Sequence, residues 1–460
     1  MRRPTRVTSL PIICLGLGLA LASGCGGEDG DGDDTRDAAA GDGDAGATAD
    51  AGDAGTVAPD GGGGGGGGGG DGALPVDPCA ARTPVCPQAT APEGGGLVAL
   101  DRCAFPLREA ASFTTLAPLL TALEALAPRA TVADVLADLN RTASATTTVP
   151  GAPAGVALGL RWNAEDDTST TWIPQGLTGS ADASASGLVG GRRVVLVSWY
   201  YTPPAGSTYE KGVRIAFVDV TDPQAPRYRF ALLVTPTGTA LAPSLAPVTL
   251  HAGGIVWYGN YLYVVETSRG FRVFDLSRML ELPTDVDQIG CAAGTCRAGL
   301  YKYAIPQLGA YTSMSTCSPL FSYLSLDRST TPPSLLSGEY CSGTACSAAL
   351  AGRALRWPLD AASGRLAVGT SWPSQAVLLG QRQVQGAASR AGTFYLSSSA
   401  PAGGGGALYR VAPGKSATST WIDAPEDLMV DGPNGLLWSL SEGAGARAVF
   451  GARLTSYPPP

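Results

Sequence analysis

Six polar residues of the sequence have side chains suited to binding a ligand or a metal ion, and they lie at or near the starts of strand-like segments. They are Gln175, Asp182, His251, Gln385, Glu426 and Asp427. Carboxylates and amide oxygens are ligands that Ca²⁺ accepts in proteins, and a metal held in this way can polarise a carbonyl and activate water. The competing interpretation is structural, because the same groups can also hydrogen-bond neighbouring strands and ordered water.

His251 is the only histidine of the chain, so any Ser-His-acid triad has to include it. The sequence has no Gly-x-Ser-x-Gly segment, the turn that presents the nucleophile in many hydrolases. Both facts favour a structural role for His251 over a catalytic one. They also favour a binding surface over an active site. Such a surface could use the aromatic residues near His251, although alternation along a strand turns about half of them into the core. They are Trp199, Tyr200, Tyr201, Trp257 and Tyr258.

The cysteines predict disulfide bonds. Cys14 and Cys25 belong to the N-terminal export pattern considered below, and eight further cysteines follow them. An even number of cysteines in an exported chain indicates a disulfide framework. They are Cys79, Cys86, Cys103, Cys291, Cys296, Cys317, Cys341 and Cys346. Three lie near the start and five lie centrally, so full pairing requires a bridge between the two groups. Zinc is disfavoured because there is no Cys-x-x-Cys and only one histidine.

Short spacings suggest one connectivity among many for these eight cysteines. Cys79 with Cys86, Cys291 with Cys296, and Cys341 with Cys346 would each close a small loop. This arrangement leaves Cys103 to reach Cys317.

The first residues have the pattern of an export signal. Three arginines precede an apolar run from Leu10 to Ala22, which is too short to span a bilayer and typical of a signal peptide. The run leads into Leu21-Ala-Ser-Gly-Cys25, which resembles the lipobox of bacterial lipoproteins. The resemblance implies a signal peptide over residues 1–24 and acyl chains such as palmitate on Cys25. An ordinary secretory signal with a chance cysteine is the alternative.

Residues 25–72 are expected to form a disordered tether. The segment contains almost only Gly, Ala, Asp and Thr, with ten consecutive glycines from Gly61 to Gly70. It cannot bury enough apolar surface to offset the entropy of ordering. Its twelve acids and one arginine account for the acidity of the chain, since residues 73–460 carry no net charge. A neutral folded part argues against a nucleic-acid partner.

The remaining chain predicts a partly helical, cysteine-containing segment over residues 73–155 and an all-β domain over residues 156–460. Helical spacing of leucines runs from Leu116 to Leu126, and Thr131 can cap a second short helix. Strands follow, rich in β-branched and aromatic residues.

Four passages of the all-β domain share a strand-turn-strand layout. Two of them start at Val384 and Glu426, 42 residues apart, which is the length of a four-stranded blade. We therefore predict a β-propeller of six or seven blades. The six polar residues would then line a common pocket on its axis.

Several phrases resemble an uncharacterised family of exported actinobacterial and myxobacterial proteins, over most of residues 130–455. They are Trp172-Ile-Pro-Gln-Gly-Leu, Ala181-Asp, Val197-Ser-Trp-Tyr, His251-Ala-Gly-Gly-Ile, Tyr261-Leu-Tyr-Val-Val, Gly270-Phe-Arg-Val-Phe-Asp-Leu and Pro425-Glu-Asp-Leu. This resemblance implies no activity. The Pro-Gln-Gly and Pro-Glu-Asp-Leu phrases are also similar to propellers of the gluconolactonase and strictosidine-synthase kind, which implies fold but not function.

These features lead to two functional hypotheses. The first is a lipid-anchored, extracytoplasmic propeller of the bacterial envelope, at the outer membrane or cell surface, that binds a protein or a glycan. The alternative is a calcium-dependent hydrolase of lactonase or esterase type using Glu426, Asp427 or Asp182. The hydrolase needs convergent carboxylates in an open axial pocket. The binder tolerates a plugged channel and needs an exposed aromatic surface. A purely structural envelope role is a third option.

Overall fold

The structure is a computed structural model that describes residues 77–90, 96–341, 352–399 and 405–460. The predicted signal peptide, Cys25 and the predicted tether lie outside the described residues. Among the described residues, no helix has the length and apolar character needed to cross a membrane.

Residues 77–90 and 96–145, here named the rim segment, form short elements. Two 3-10 helices, Pro78–Ala81 and Arg102–Ala104, are each capped by the aspartate that precedes them. The rim segment contains β1 (Val98–Ala99), β2 (Leu107–Glu109), α1 (Ser112–Thr115), α2 (Ala117–Leu126), β3 (Arg129–Ala130), α3 (Val132–Ala137), β4 (Arg141–Thr142) and β5 (Ser144–Ala145). The two predicted helices are confirmed, and Thr131 caps α3 in a capping box with Asp134.

The rest of the described chain is built from groups of four antiparallel strands, the blades, and the outer strands of the first two blades also pair with each other in parallel. First come β6 (Val156–Arg161) and α4 (Ala164–Asp167). Blade 1 contains β7 (Trp172–Gly179), β8 (Val194–Tyr201), β9 (Val213–Asp219) and β10 (Arg227–Thr239), with α5 (Ser180–Ala183) after β7 and β11 (Ala242–Pro247) beside β10. Blade 2 contains β12 (Ile255–Tyr258), β13 (Tyr261–Glu266), β14 (Gly270–Asp275) and β18 (Tyr303–Ser313), with β15 (Met279–Glu281), β16 (Ile289–Ala292) and β17 (Thr295–Ala298) inserted.

The remaining blades follow the same plan. Blade 3 contains β19 (Tyr323–Asp327), β20 (Ser334–Gly338), β21 (Arg353–Pro358) and β23 (Gln375–Leu378), with β22 (Thr370–Ser371) inserted. Blade 4 contains β24 (Val384–Arg390), β25 (Thr393–Ser398), β26 (Gly406–Ala412) and β27 (Lys415–Trp421). Blade 5 contains β28 (Pro425–Asp431), β29 (Leu436–Ser441), β30 (Ala448–Arg453) and, on its outer side, β6. A 3-10 helix, Leu454–Ser456, follows.

The all-β propeller is confirmed, and the expected number of six or seven blades is wrong. The first strands of the blades, β7, β12, β19, β24 and β28, contact one another in a closed ring, so the described chain forms five blades. The 42-residue spacing from Val384 to Glu426 overestimated the number of blades. Blades 1 to 3 carry insertions, so each of them takes more residues than blade 4. Blade 5 also takes its fourth strand from the N-terminal side of the domain.

The rim segment covers the outer edges of four blades. Its strand β1 pairs with β23 of blade 3, β2 with β18 of blade 2, β4 with β10 of blade 1, and β5 with β6 of blade 5. Sheet edges with unpaired backbone groups invite association with other chains. The rim segment therefore acts as part of the propeller and protects its edges.

Three disulfides join described cysteines, and one of them links the two groups, as expected, although through a different cysteine of the first group. Cys86 is bonded to Cys317, which ties the rim segment to the loop between blades 2 and 3. The predicted pair of Cys291 and Cys296 is confirmed across the β16–β17 hairpin.

The other two predicted pairings that fall on described residues are wrong. Cys79 is bonded to Cys103 and not to Cys86, so Cys103 does not reach Cys317. The tertiary fold brings the two capped 3-10 turns together, with Cα atoms of Cys79 and Cys103 5.0 Å apart. Cys341 is disulfide-bonded, whereas Cys346 lies outside the described residues.

Asp166 is at the centre of a buried ionic cluster between blades 1 and 5. Its Oδ1 accepts a hydrogen bond from Arg214 at 2.9 Å, and its Oδ2 accepts from Arg141 at 2.9 Å and from the Tyr228 hydroxyl at 2.6 Å. Arg447 of the loop before β30 donates to the Asp166 carbonyl at 2.8 Å. The cluster thus joins α4, blade 1, the rim segment and blade 5.

Aromatic rings surround the Arg214 guanidinium in this cluster. Its carbon lies 3.5 Å from the ring centroid of Phe230, 4.5 Å from that of Trp172 and 4.9 Å from that of Trp199. Rings stabilise a desolvated cation through their negative faces. A carboxylate is still needed, because a buried charge without a partner is costly.

We predict that Asp166→Asn destabilises the protein by about 3–5 kcal/mol, because it leaves Arg214 buried without its counter-ion. The control is Glu165→Gln, since the neighbouring Glu165 also bonds Arg141 but its side chain is 79% exposed. It should cost less than about 1 kcal/mol. Urea unfolding measures both, and equal effects would contradict the role of the cluster.

Candidate functional site

Three of the five first strands carry a β-bulge near their starts. The bulge holds Gln175 and Gly176 in β7, Gln385 in β24, and Glu426 and Asp427 in β28. A bulge re-aims side chains and is frequent next to functional sites. Four of the six predicted polar residues are therefore bulge residues at the same end of the blades.

A polar and aromatic surface lies at this end, here named the axial mouth: Gln175, Tyr200, His251, Glu426 and Glu442. The Gln175 side-chain nitrogen donates to a Glu442 oxygen at 2.8 Å. The imidazole of His251 stacks on the Tyr200 ring, with centroids 4.7 Å apart and an interplanar angle of 29°. His251 is exposed, Tyr200 and Glu442 are half-buried, and Gln175 and Glu426 are buried.

The aromatic pair at the mouth is uncharged at neutral pH. Desolvation by the surrounding protein lowers the pKa of His251 below its usual range, although the residue is exposed at the surface. Burial raises the pKa of Tyr200 to about 12, and the charges of Glu442 and Glu426 act in the same direction. The pair therefore offers a flat neutral face beside hydrogen-bonding groups.

Glu442 is an acidic residue of the mouth that accepts a hydrogen bond from Gln175. Burial raises its pKa, whereas the hydrogen bond from Gln175 and the charge of Arg447 oppose that shift. Reasoning from the sequence missed Glu442 and Arg447, which lie at either end of the loop between β29 and β30. Only a contact between blades 1 and 5 reveals them.

Below the mouth, side chains bond backbone groups of their own or the next blade, and the first strands of blades 3 and 5 also contact each other across the axis, which closes the channel. The Ser198 hydroxyl accepts from the Gly176 N–H and donates to the Ala252 carbonyl, both at 2.8 Å. The Ser325 hydroxyl donates to the Ala387 carbonyl at 2.6 Å. A β-carbon on Gly386 would lie 2.5 Å from the Asp427 α-carbon, so this close approach requires glycine.

Asp427 is one of the groups that close the channel. Its Oδ2 accepts from the Leu177 N–H of blade 1 at 3.1 Å, and the side chain is fully buried. Burial raises its pKa well above the ordinary value, and the backbone N–H groups only partly oppose this. A carboxyl sealed in this way connects two blades and does not face the mouth.

Asp182 lies in α5, after the end of β7 and away from the mouth. The Thr178 hydroxyl donates to its Oδ2 at 2.8 Å. Burial raises its pKa to about 7, while the Thr178 hydroxyl and the charge of Arg328 lower it. The structure therefore separates the six predicted residues: Gln175, His251 and Glu426 are at the mouth, Gln385 is half-buried on β24, Asp427 is in the closed channel, and Asp182 is beyond it.

In the described ranges, no three His, Cys, Asp or Glu side chains group in a way that could hold a metal ion. Calcium binding stays a prediction from the sequence. Of the aromatic residues near His251, Trp199 and Trp257 are buried in the core, whereas Tyr200, Tyr201 and Tyr258 are half-buried. Strand alternation explains the difference between Trp199 and Tyr200.

Comparison with known proteins gives only a distant likeness. No family model and no curated protein matches the chain. Among solved structures, the chain is similar to a GH43_1 enzyme from Xanthomonas citri at 11% sequence identity, over 73% of this chain and 93% of that chain, with a TM-score of 0.30. The fold is established by the strand topology described above, and this likeness says nothing about activity.

We predict that Asp182→Asn stabilises the protein more at about pH 8 than at about pH 5. Asparagine can still accept from Thr178 but does not ionise. Between pH 3.8 and about 7 the folded carboxyl keeps a proton that the unfolded chain has lost. Wild-type stability therefore falls as pH rises through this window, and the loss is complete above it.

The free energy of unfolding of Asp182→Asn should exceed that of the wild type by a margin that grows from pH 5 to pH 8. We expect this growth to be on the order of 2 kcal/mol. Asp134→Asn serves as the control of opposite sign, because hydrogen bonds from Thr131 lower the pKa of Asp134. Urea unfolding at both pH values measures the two differences. A pH-independent gain for Asp182→Asn would contradict the raised pKa.

Proposed function

We propose that this protein is a lipid-anchored, extracytoplasmic β-propeller that binds a glycan at the axial mouth. The observation that carries the proposal is the stack of the exposed His251 on the half-buried Tyr200, beside the hydrogen-bonded Gln175 and Glu442. Ligand sites combine aromatic surface with a few placed polar groups. A sugar presents both an apolar C–H face and hydroxyls in one ring.

The neutral state of the aromatic pair supports a neutral ligand ring. The pKa of His251 is lowered and that of Tyr200 is raised, so both side chains are neutral. The apolar face of a sugar can therefore cover them without removing water from a charged group. The Gln175 amide provides donors and an acceptor, and the Glu442 carboxylate provides acceptors. Sugar hydroxyls both donate and accept, so they match this mixed set.

The closed channel favours binding over hydrolysis. A hydrolase of the alternative type would need its carboxylates to converge in an open pocket. Asp427 instead bonds Leu177 of the neighbouring blade, and Asp182 lies beyond the closed part of the axis. A partly exposed aromatic pair above a closed channel is the arrangement expected of a binder.

Export and lipid anchoring are supported by two independent features of the chain. The N-terminal sequence has the charge, apolar run and terminal cysteine of a lipoprotein signal. Disulfides such as Cys86–Cys317 persist in oxidising compartments outside the cytoplasm.

We expect wild-type protein to bind members of a panel of immobilised oligosaccharides, and Tyr200→Ala to weaken the best binder at least tenfold, or ~1.4 kcal/mol. Isothermal titration calorimetry measures the change. Tyr409→Ala, a half-buried tyrosine on β26 of blade 4, is the matched control and should bind as wild type. The proposal fails if wild type binds no oligosaccharide, or if Tyr200→Ala binds unchanged.

For the anchor, we expect cells fed radiolabelled palmitate to label the wild type and not Cys25→Ser. The thioether that carries the diacylglycerol requires the Cys25 thiol. Cys14→Ser is the matched control, because Cys14 lies inside the apolar run and should leave labelling intact. Labelling of Cys25→Ser at the wild-type level would refute the anchor.

A further inference from the structure

A second pocket lies beside α5, between the ends of β7, β12 and β19, away from the axial mouth. It is a cavity of about 380 Å³. Backbone and small side chains form much of its wall, and three larger side chains give it chemical character. These are Tyr258, Tyr261 and Arg328.

Arg328 is the charged group of this pocket. Its Nε donates to the Ala181 carbonyl at 3.1 Å, and its Nη2 donates to the Asp182 carbonyl. Its guanidinium carbon lies 5.3 Å from the ring centroid of Tyr258. In the part of the chain that the structure describes, no carboxylate lies within ion-pair distance of it.

The guanidinium keeps hydrogen-bonding capacity toward the cavity. A guanidinium has five N–H donors, and the two carbonyls use one on Nε and one on Nη2. Two N–H groups on Nη1 and one on Nη2 remain free. Together they form the Nη1–Nη2 edge of the guanidinium, which can bind a carboxylate through two parallel hydrogen bonds. The carbonyl contacts hold this edge in place before any ligand arrives.

The nearest buried carboxyl does not neutralise Arg328 fully. Asp182 takes the Thr178 hydroxyl on Oδ2. Burial raises its pKa to about 7, and the nearby Asp431 acts in the same direction. Near neutral pH a share of Asp182 is therefore protonated, so the pocket keeps positive character.

The opposite wall is held rigidly. Gly364 has a left-handed backbone with φ +67°, which favours glycine, and a β-carbon there would lie 3.3 Å from the Tyr258 ring. The Tyr263 hydroxyl donates to the Gly364 carbonyl at 2.8 Å, and the Ser363 N–H donates to Asp360 at 2.7 Å. The pocket is therefore formed in advance, as small-molecule sites usually are.

We propose that this pocket binds a small ring-bearing molecule that carries one carboxylate, such as a hexuronic acid. The single cation matches a single negative charge. The Tyr258 and Tyr261 rings, both half-buried, provide faces on which the ligand ring can rest. The site is separate from the axial mouth and does not depend on glycan binding there.

The test is a titration of wild-type protein carrying isotope-labelled alanine methyl groups, followed by NMR. Four alanines line the pocket and report on it directly: Ala183, Ala185, Ala361 and Ala362. Sodium glucuronate is the probe, and glucose is the neutral match. We expect glucuronate to shift these methyl signals saturably below about 20 mM, and glucose to bind at least tenfold more weakly.

Arg328→Gln should weaken glucuronate at least tenfold, and Arg108→Gln, an exposed arginine of β2, should leave it unchanged. Because Arg328 also bonds two carbonyls, Tyr261→Ala is the second variant. It removes a ring face without touching those bonds and should weaken binding at least threefold in protein whose alanine methyl spectrum shows that it is folded. The proposal is overturned by shifts that do not saturate, by equal binding of glucose, or by Tyr261→Ala binding as wild type.

Discussion

Closure of the ring is the constraint on which the rest of this structure depends. Blade 5 has only three strands from the C-terminal part of the chain, and β6 from the N-terminal side completes it. The connection that follows β6 contains Asp166. Arg214 of blade 1 donates to the Asp166 carboxylate, and Arg447 of blade 5 donates to its backbone carbonyl. Backbone pairing closes the sheet, and the buried charges hold the two neighbouring blades against each other.

A ring of five blades has a narrow axis, and this narrowness shapes both sites. The first strands approach so closely that glycine is required at Gly386, and hydroxyls such as that of Ser325 bond across blades. The hydroxyls of Ser198 and Ser325 inside the ring are used in such bonds, because an unpaired buried group is costly. Side chains available for a ligand are consequently found at the ends of the axis and not along it.

The rim segment extends the same principle to the outside of the molecule. Its short strands complete the outer edges of four blades, and Cys86–Cys317 attaches it covalently to the loop between blades 2 and 3. These pairs attach the N-terminal part of the domain to blades 3, 2, 1 and 5. The helix α3, which Thr131 caps, packs with the hydrophobic core that blades 1 and 2 share.

The sequence by itself determined the fold class, the two short helices and the polar residues at the starts of β7, β24 and β28. Local patterns carry this information, because strand propensity, capping and repeated turns act over a few residues. Tertiary structure alone decided the blade number, the pairing of Cys79 with Cys103, and which candidates meet. Glu442 joins Gln175, and Asp427 is sealed against Leu177, because residues more than 200 positions apart become neighbours only when the ring closes.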